Sequence, residues 1–480
     1  MSDTGITVKK DEDFSEWYTQ VVLKSTMADY APVKGCMIFR EHSYAIWEKI
    51  QRIFDEKIRA TGHRNVYFPL FIPESFLKKE AEHFQGFVPE VAWVTIGGDT
   101  PLEERLAVRP TSETIMYATY AKWIRSWRDL PIKLNQWCSV VRWETRATKL
   151  FLRTREFLWQ EGHTAHATRE EADKEVMEIL NAYKDVMETY LAVPVLTGKK
   201  TENEKFAGAL YTTALEALMP DGKVLQMGTS HNLGQHFSKV FDIKFLDEQE
   251  KERYVWQTSW GISTRIIGAL VMVHGDDKGL VLPPKIAPIQ VVVVPIPYKG
   301  AEPEMILSKA KGIFKSLQER GIETILDDRA EYTPGWKFNE WELKGVPIRI
   351  EIGPRDVKQK QVTMARRDTY EKIAVKEEET VATVMRLFEE IQNNLFNRAK
   401  KLLQENTFTV KTYDEFKEVL KEKGGFIRAS WCSNSKCEQE IKDETGATIR
   451  IVPLEKEKPF SKCMHCGEEA KEVVYFGRAY

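Results

Sequence analysis

Two groups of residues in this chain have the types and spacing for chemistry. The first lies within residues 142–161: Arg142, Trp143 and Glu144, a polar run from Thr145 to Leu150, then Arg153, Thr154, Arg155, Phe157, Trp159 and Glu161. Ile132 to Val141, ahead of it, mixes apolar and polar residues and can be a strand, and the segment after Arg153 alternates. Strand side chains point to alternate faces, so Arg153, Arg155, Phe157, Trp159 and Glu161 are expected on one face. Thr145 to Leu150 is short enough to be a hairpin loop. A face with this many charges does not pack into a core. It suits a ligand with anionic groups and a flat ring. A solvated sheet face with cross-strand ion pairs is the plain alternative, but it would carry smaller polar residues where this one has Phe157 and Trp159. The second group is Cys432-x4-Cys437 and, 25 residues on, Cys463-x2-Cys466. That spacing fits a four-cysteine zinc site, with His465 as a possible substitute ligand. Four reduced structural cysteines are the alternative.

Three shorter stretches add polar groups. In Arg109-Pro110-Thr111-Ser112-Glu113, Thr111 reads as the N-cap of an apolar helix. Glu113 is also a carboxylate at the mouth of a loop, suited to a substrate ammonium. Val224 to Gln235 reads as a short strand entering a polar, glycine-bearing turn with Gln226, Thr229 and His231. In Trp260 to His274, Gly261 permits close backbone approach, Arg265 opens an apolar helix and Gly268 allows tight packing. Arg265 either snorkels at a core edge or faces an anion.

Other elements must position these groups. At 480 residues, two to four domains are expected. Hydrophobic content of 42%, charged content of 30% and a net charge of −2 describe a soluble protein, and a neutral total is compatible with a local basic surface for nucleic acid. No apolar run reaches the roughly 18–20 residues of a membrane span, and Met1 to Asp13 lacks the apolar centre of a signal peptide. A cytoplasmic protein is expected. Ile46, Ile50, Ile53, Phe54 and Ile58 stripe an amphipathic helix over 43–61, with Gly62 as its C-cap. Val66 to Ile72 reads as a strand interrupted by Pro69, which places it at an edge or interface. After a proline-bearing linker at 276–288, the run Ile289–Val294 opens a second, α/β unit with several parallel strands. Its Arg349, Arg355, Lys358 and Lys360 are either a solvated face or an RNA contact.

Taken in order, these stretches resemble the three motifs of the class II aminoacyl-tRNA synthetases. The 43–72 region is similar to motif 1, residues 142–161 to motif 2 and residues 260–274 to motif 3. The Arg-Pro-Thr-Ser-Glu string resembles class IIa members, and the cysteine-bearing tail ending in Tyr480 resembles prolyl-tRNA synthetases of the archaeal/eukaryotic type. The resemblance implies an α+β catalytic core (an antiparallel sheet with helices) at 1–283, an α/β anticodon-binding domain at 284–400 and a small zinc-binding α+β domain at 401–480. It implies ATP-dependent activation of L-proline and its transfer to tRNA(Pro), with ATP as substrate, Mg2+ bridging the phosphates and structural Zn2+ on Cys432, Cys437, Cys463 and Cys466. Motif 1 implies a homodimer.

Site roles follow from the resemblance. Arg142 and Arg265 are the catalytic candidates. Thr111, Glu113, Arg142 and His231, walled by Phe87, Trp159 and Phe206, are the expected proline contacts. Arg142, Trp143, Glu144, Arg153, Thr154, Phe157, Gln226, Thr229, Ser263 and Arg265 are the expected ATP contacts, with Phe157 stacked on adenine and Ser263 replacing a more usual threonine. The resemblance also places the carboxylate of Tyr480 near the active site. A threonyl enzyme would need a histidine and cysteine set for catalytic zinc, and the core offers only Cys36 and Cys138. A non-catalytic RNA-binding relative would usually lack a motif arginine, and all three are present. About a hundred residues separate Glu161 from Gly261, too few for the bacterial-type inserted editing domain. Because a missing methylene costs only roughly 1–3 kcal/mol, such a pocket should also activate cysteine to some degree.

Overall fold

The computed structural model describes residues 5–81, 91–145, 147–297 and 303–480. Among them the largest element is an eleven-stranded sheet. Its centre is a run of antiparallel strands: Tyr211–Leu218, Val224–Gly234, Trp256–Ser263, Glu156–His166 and Ile132–Val141. One face is covered by the helices Glu41–Ala60, Arg169–Asp185 and Arg265–His274, which bury Trp47, Phe54, Tyr183, Trp260 and Ile266 in a continuous core. The predicted stripe on the first of these holds: Ile46, Ile50, Phe54 and Ile58 are buried, and Ile53 packs at the margin. Gly62 follows with φ +92°, a conformation open to glycine at little cost. The extended stretch 66–72 forms less strand than its composition predicts. Only Phe71–Pro73 pairs, with Thr100–Val108.

The second unit is a five-stranded sheet with Val291–Pro295 between Thr324–Leu326 and Ile348–Ile352 in parallel. Gln361–Arg366 and Lys372–Lys376 complete it in antiparallel. Helices Pro303–Gln318 and Thr380–Glu405 bury their apolar sides against it. The 276–288 segment is less free than a linker. Asp276 holds Arg367 through two bonds of 2.7 Å and accepts a third from Tyr370 at 2.6 Å.

The third unit, with strands Thr407–Thr409, Phe426–Trp431, Thr448–Pro453 and Glu472–Gly477, does not stand apart. Val452 and Pro453 pair with Lys199 and Gly198, so its sheet continues that of the core. The junction is ionic as well as backbone. Lys200 and Arg450 both bond to the fully buried Glu216, at 2.5 Å and 2.9 Å. A buried carboxylate is tolerated when its oxygens are met by opposite charge in this way.

Candidate active site

A cavity of about 410 Å³ opens on the other face of the large sheet. Alternation along Glu156–His166 sets Phe157, Trp159, Glu161 and His163 in its wall. The residue between the last two must be glycine: a Cβ on Gly162 would lie 2.1 Å from the ring of Trp260 on the opposite face. Ser259, Gly261 and Ser263 line the cavity from one neighbouring strand, and Gln226, Thr229 and His231 from the next.

The expected hairpin is looser than its pattern suggests. The strands end at Val141 and begin at Glu156, so Arg153 and Arg155 belong to the connection. Lys149 and Arg153 pair there in a local bridge. Arg153 still enters the cavity, but Arg155 does not. It turns outward to Lys34 O at 3.0 Å and stacks 4.3 Å over Trp143. Trp143, 41% exposed beneath that guanidinium, is likewise outside the cavity lining. Phe87 lies outside the described residues.

At one end three guanidinium groups converge. Arg142 donates Nε to Pro110 O at 3.1 Å and stands 5.5 Å and 5.4 Å over the rings of Phe157 and Trp159. It is an exposed residue, and it lines the cavity. Arg265, first residue of its helix, donates Nε to Leu152 O at 3.3 Å. Burial, and then the like charges of Arg142 and Arg153, push its pKa down to about 10. Glu144, 3.7 Å from Arg153 Nε, is the carboxylate among them. Clustered cations that depress one another are stabilised by an incoming anion. Arg153 also donates to Tyr480 O at 3.2 Å, so the last residue of this chain does reach the cavity rim.

The other end is carboxylate and aromatic. The helix begins at Glu113, and its N-cap position is Ser112, not Thr111. Thr111 instead bonds to the Glu113 carboxylate through its hydroxyl. His231 is not in a turn. It is buried in a strand, its Nδ1 2.8 Å from Thr212 Oγ1 and its ring 4.8 Å from that of Phe206. Burial lowers its pKa to about 3, which keeps it neutral. Thr154 is buried and bonded to Glu156 O, with the cavity beside it. Glu161, His163, Lys200 and Ser259 also line the space and were not among the expected contacts. The alternation had placed Glu161 on this face without a contact, and one further step of it would have added His163.

The four C-terminal cysteines also converge. Their sulfurs all lie within 4.8 Å of one another. Cys437 and Cys463 are 3.8 Å apart, Cys432 and Cys466 3.6 Å. A tetrahedron with Zn–S of about 2.3 Å has edges of about 3.8 Å, so the donor set fits zinc. His465 Nδ1 sits 3.2 Å from Cys437 Sγ, beside the four-sulfur cluster.

In the second unit a further cavity of about 390 Å³ is lined by Phe338, Arg349, Arg366 and Lys372. Arg349 is not the solvated cation its sequence setting suggests: it is 7% exposed and bonded to Glu342 and Glu351. Arg355, Lys358 and Lys360 are exposed.

Residues 93–274 match the class II tRNA synthetase core domain shared by the G, H, P, S and T enzymes, residues 290–387 an anticodon binding domain, and residues 413–480 the prolyl-tRNA synthetase C-terminal domain. A proline–tRNA ligase of Natranaerobius thermophilus is 56% identical over 98% of this chain and 97% of its own length. The chain belongs to the prolyl-tRNA synthetase family. A second member, from Alkaliphilus oremlandii, is 55% identical over 98% of this chain and 96% of its own. The crystal structure of the prolyl-tRNA synthetase of Cryptosporidium parvum, complexed with halofuginone and AMPPNP, superposes with a TM-score of 0.96, 46% identity and full coverage of both chains. In this member of the family, residues 167–255 are taken up by elements of the core itself, including the helix Arg169–Asp185 and three strands of the central sheet. No separate domain is inserted there. No helix among the described residues is long and apolar enough to cross a membrane.

Proposed function

We propose that this chain activates L-proline with ATP and transfers it to the 3′ end of tRNA(Pro), the proline–tRNA ligase reaction. The observation that carries this reading is the polarity of the cavity on the large sheet. Three arginines crowd one end, while Glu113, Trp159, Phe206 and His231 form the other. A carboxylate oxygen of proline attacks the α-phosphorus of ATP, and the bond to pyrophosphate breaks. The attacking carboxylate and the triphosphate are both anionic groups, so the site must neutralise charge and hold them in line. Of the three, Arg142 is the one that also lies over Trp159 and in the field of Glu113, so it can bind the carboxylate and the α-phosphate together. Arg153 and Arg265 take the outer phosphates, where charge grows as pyrophosphate leaves. Phe157 offers its ring to adenine, and Glu144, Thr154, Gln226, Thr229 and Ser263 supply polar groups. Trp143 is left out of this assignment.

At the other end Thr111 and Glu113 receive the secondary ammonium. Neutral His231 adds no positive charge to repel it. The nucleophile is already ionised, so no general base is required. Magnesium, when bound, screens the phosphate charge, and Glu144 is the lining carboxylate suited to its shell. Zinc would be held by Cys432, Cys437, Cys463 and Cys466 and would tie the C-terminal unit together. The exposed Arg355, Lys358 and Lys360, with the cavity around Phe338, suit tRNA. The exposed Tyr67 and Phe71 suit pairing of two copies, and a cytoplasmic setting suits all three substrates. ATP–pyrophosphate exchange measured with each of the twenty amino acids tests the reading. Exchange strongest with proline, with weak activity on cysteine, is expected. No exchange in protein that still binds ATP would refute it.

A further inference from the structure

Beside Glu113 in the cavity wall stand two further polar residues, Glu161 and His163, that the reaction as assigned does not use directly. Glu161 is 2% exposed, and both its oxygens accept hydrogen bonds. One oxygen accepts from Ser112 Oγ at 2.5 Å, Gln136 Nε2 at 3.0 Å and Cys138 Sγ at 3.4 Å. The other accepts from the Ser112 amide and from His163 Nε2, both at 3.0 Å. His163, 1% exposed, has its second nitrogen 3.2 Å from Tyr117 Oη, and its main-chain oxygen accepts from Tyr120 Oη at 2.8 Å.

The partners share a pattern. Ser112 is the N-cap of the helix Glu113–Trp123, and Tyr117 and Tyr120 lie one and two turns along it. Residues 113, 117 and 120 share a helix face. Glu161 and His163 therefore grip this helix at its start and along its inner side, from a central strand. Glu113, its first residue, has no latitude that these contacts do not allow. Both ring nitrogens of His163 have oxygen partners, the arrangement an imidazolium uses. The carboxylates of Glu113 and Glu161 raise the pKa of that ring against its burial, and in its protonated form it offsets one of the two and leaves the other for a cationic substrate.

We propose that Glu161 and His163 form a positioning pair for the imino-acid end of the cavity: bonded to each other, they hold Ser112 and Tyr117 and so fix where Glu113 meets the substrate ammonium. The inference rests on the proposed proline-activating reaction. Neither residue need touch the reacting atoms, and their effect passes through Thr111 and Glu113. Loss of either therefore raises KM for the amino acid and leaves KM for ATP unchanged.

The test is proline-dependent ATP–pyrophosphate exchange on the full chain with Glu161→Gln, His163→Gln, the double variant, Ser112→Ala and Tyr117→Phe. Each single change at 161 or 163 removes a charge-assisted bond and should raise the proline KM about ten- to hundredfold, with the ATP KM within about twofold. The double variant should cost no more than the worse single one, because two members of one unit are not additive. Ser112→Ala and Tyr117→Phe each delete one hydroxyl and should give smaller shifts of the same kind. They carry the test if Glu161→Gln or His163→Gln fails to fold. A proline KM within threefold of wild type in all folded variants overturns the inference. So does an ATP KM that rises in step with that for proline, which would mark a merely structural role. Absence of proline-dependent exchange in the wild-type chain would overturn the functional reading instead.

Discussion

Replacing Arg142 by lysine isolates what the guanidinium contributes beyond its charge. The side chain donates Nε to Pro110 O at 3.1 Å and lies over Phe157 and Trp159 at 5.5 Å and 5.4 Å. Lysine keeps one positive charge, but it loses the planar fork and the stacking that orient it. One charge-assisted hydrogen bond to a bound anion is worth about 1.5–3 kcal/mol. One desolvated ring contact adds about 0.5–2 kcal/mol. Together they come to about 2–5 kcal/mol, or about 30-fold to a few thousand-fold in kcat/KM. The assay is ATP–pyrophosphate exchange with proline and ATP varied in turn. Because Arg142 is proposed to touch both substrates, both KM values or the shared kcat should suffer, in contrast to the selective effect expected at Glu161. Arg142 is exposed and lines the cavity, so the thermal midpoint should stay within a few degrees. An R142K enzyme within fivefold of wild type would refute the reasoning, since charge alone would then suffice.

Stability should fall as pH drops from about 6.5 towards 4. Burial holds His42 and His166 at about 4 and His231 and His274 at about 3. The unfolded chain therefore takes up their protons first, at about 1.4 kcal/mol per pH unit for each. His163 has the opposite sign. Burial works against its charge, but the carboxylates of Glu113 and Glu161 raise its pKa. Urea midpoints across this range that do not fall would refute the assignment. Metal analysis should find about one zinc per chain, and a Cys437→Ser change should lose it and lower the thermal midpoint. Full zinc content in that variant would disqualify the site. In Gly268→Ala the new Cβ would lie 2.6 Å from Leu152 Cδ2 and 2.9 Å from Tyr18 Oη. Overpacking of about 1–3 kcal/mol then exceeds a helix-propensity gain of about 1 kcal/mol. Denaturant melts should show a net loss. The ATP KM should rise because Leu152 O holds Arg265.

The sequence was most informative where periodicity and chemistry agreed. Phe157, Trp159 and Glu161 could be placed on one face because strand alternation is a local rule, and Arg265 at a helix start because the apolar run behind it is long. Arg155 was misplaced for the same reason. The alternating pattern continues through it, but the strand begins one residue later, and Lys34 and Trp143 draw its side chain away. Arg349 looked like a surface cation because its acidic partner Glu342 sits on a helix that only tertiary structure brings near. The Glu161–His163 layer was invisible for a related reason. Its partners Ser112, Tyr117 and Gln136 come from two other elements, and no spacing rule links them. The continuity of the C-terminal sheet with the core is a long-range pairing of the same kind.

That continuity matters while the chain is being made. The strand Leu196–Lys199 gains its outer neighbour only when the segment around Arg450, 250 residues later, has been synthesised. At about 5–20 residues per second, this side of the nascent sheet waits on the ribosome for about 10–50 s. An unpaired strand invites pairing with a foreign chain, and lysines are a common deterrent. Lys199 and Lys200 stand at that place. Lys200 then has two successive uses: first as a guard on an open edge during translation, and afterwards as the buried cation that Glu216 and the main chain of Arg450 close over.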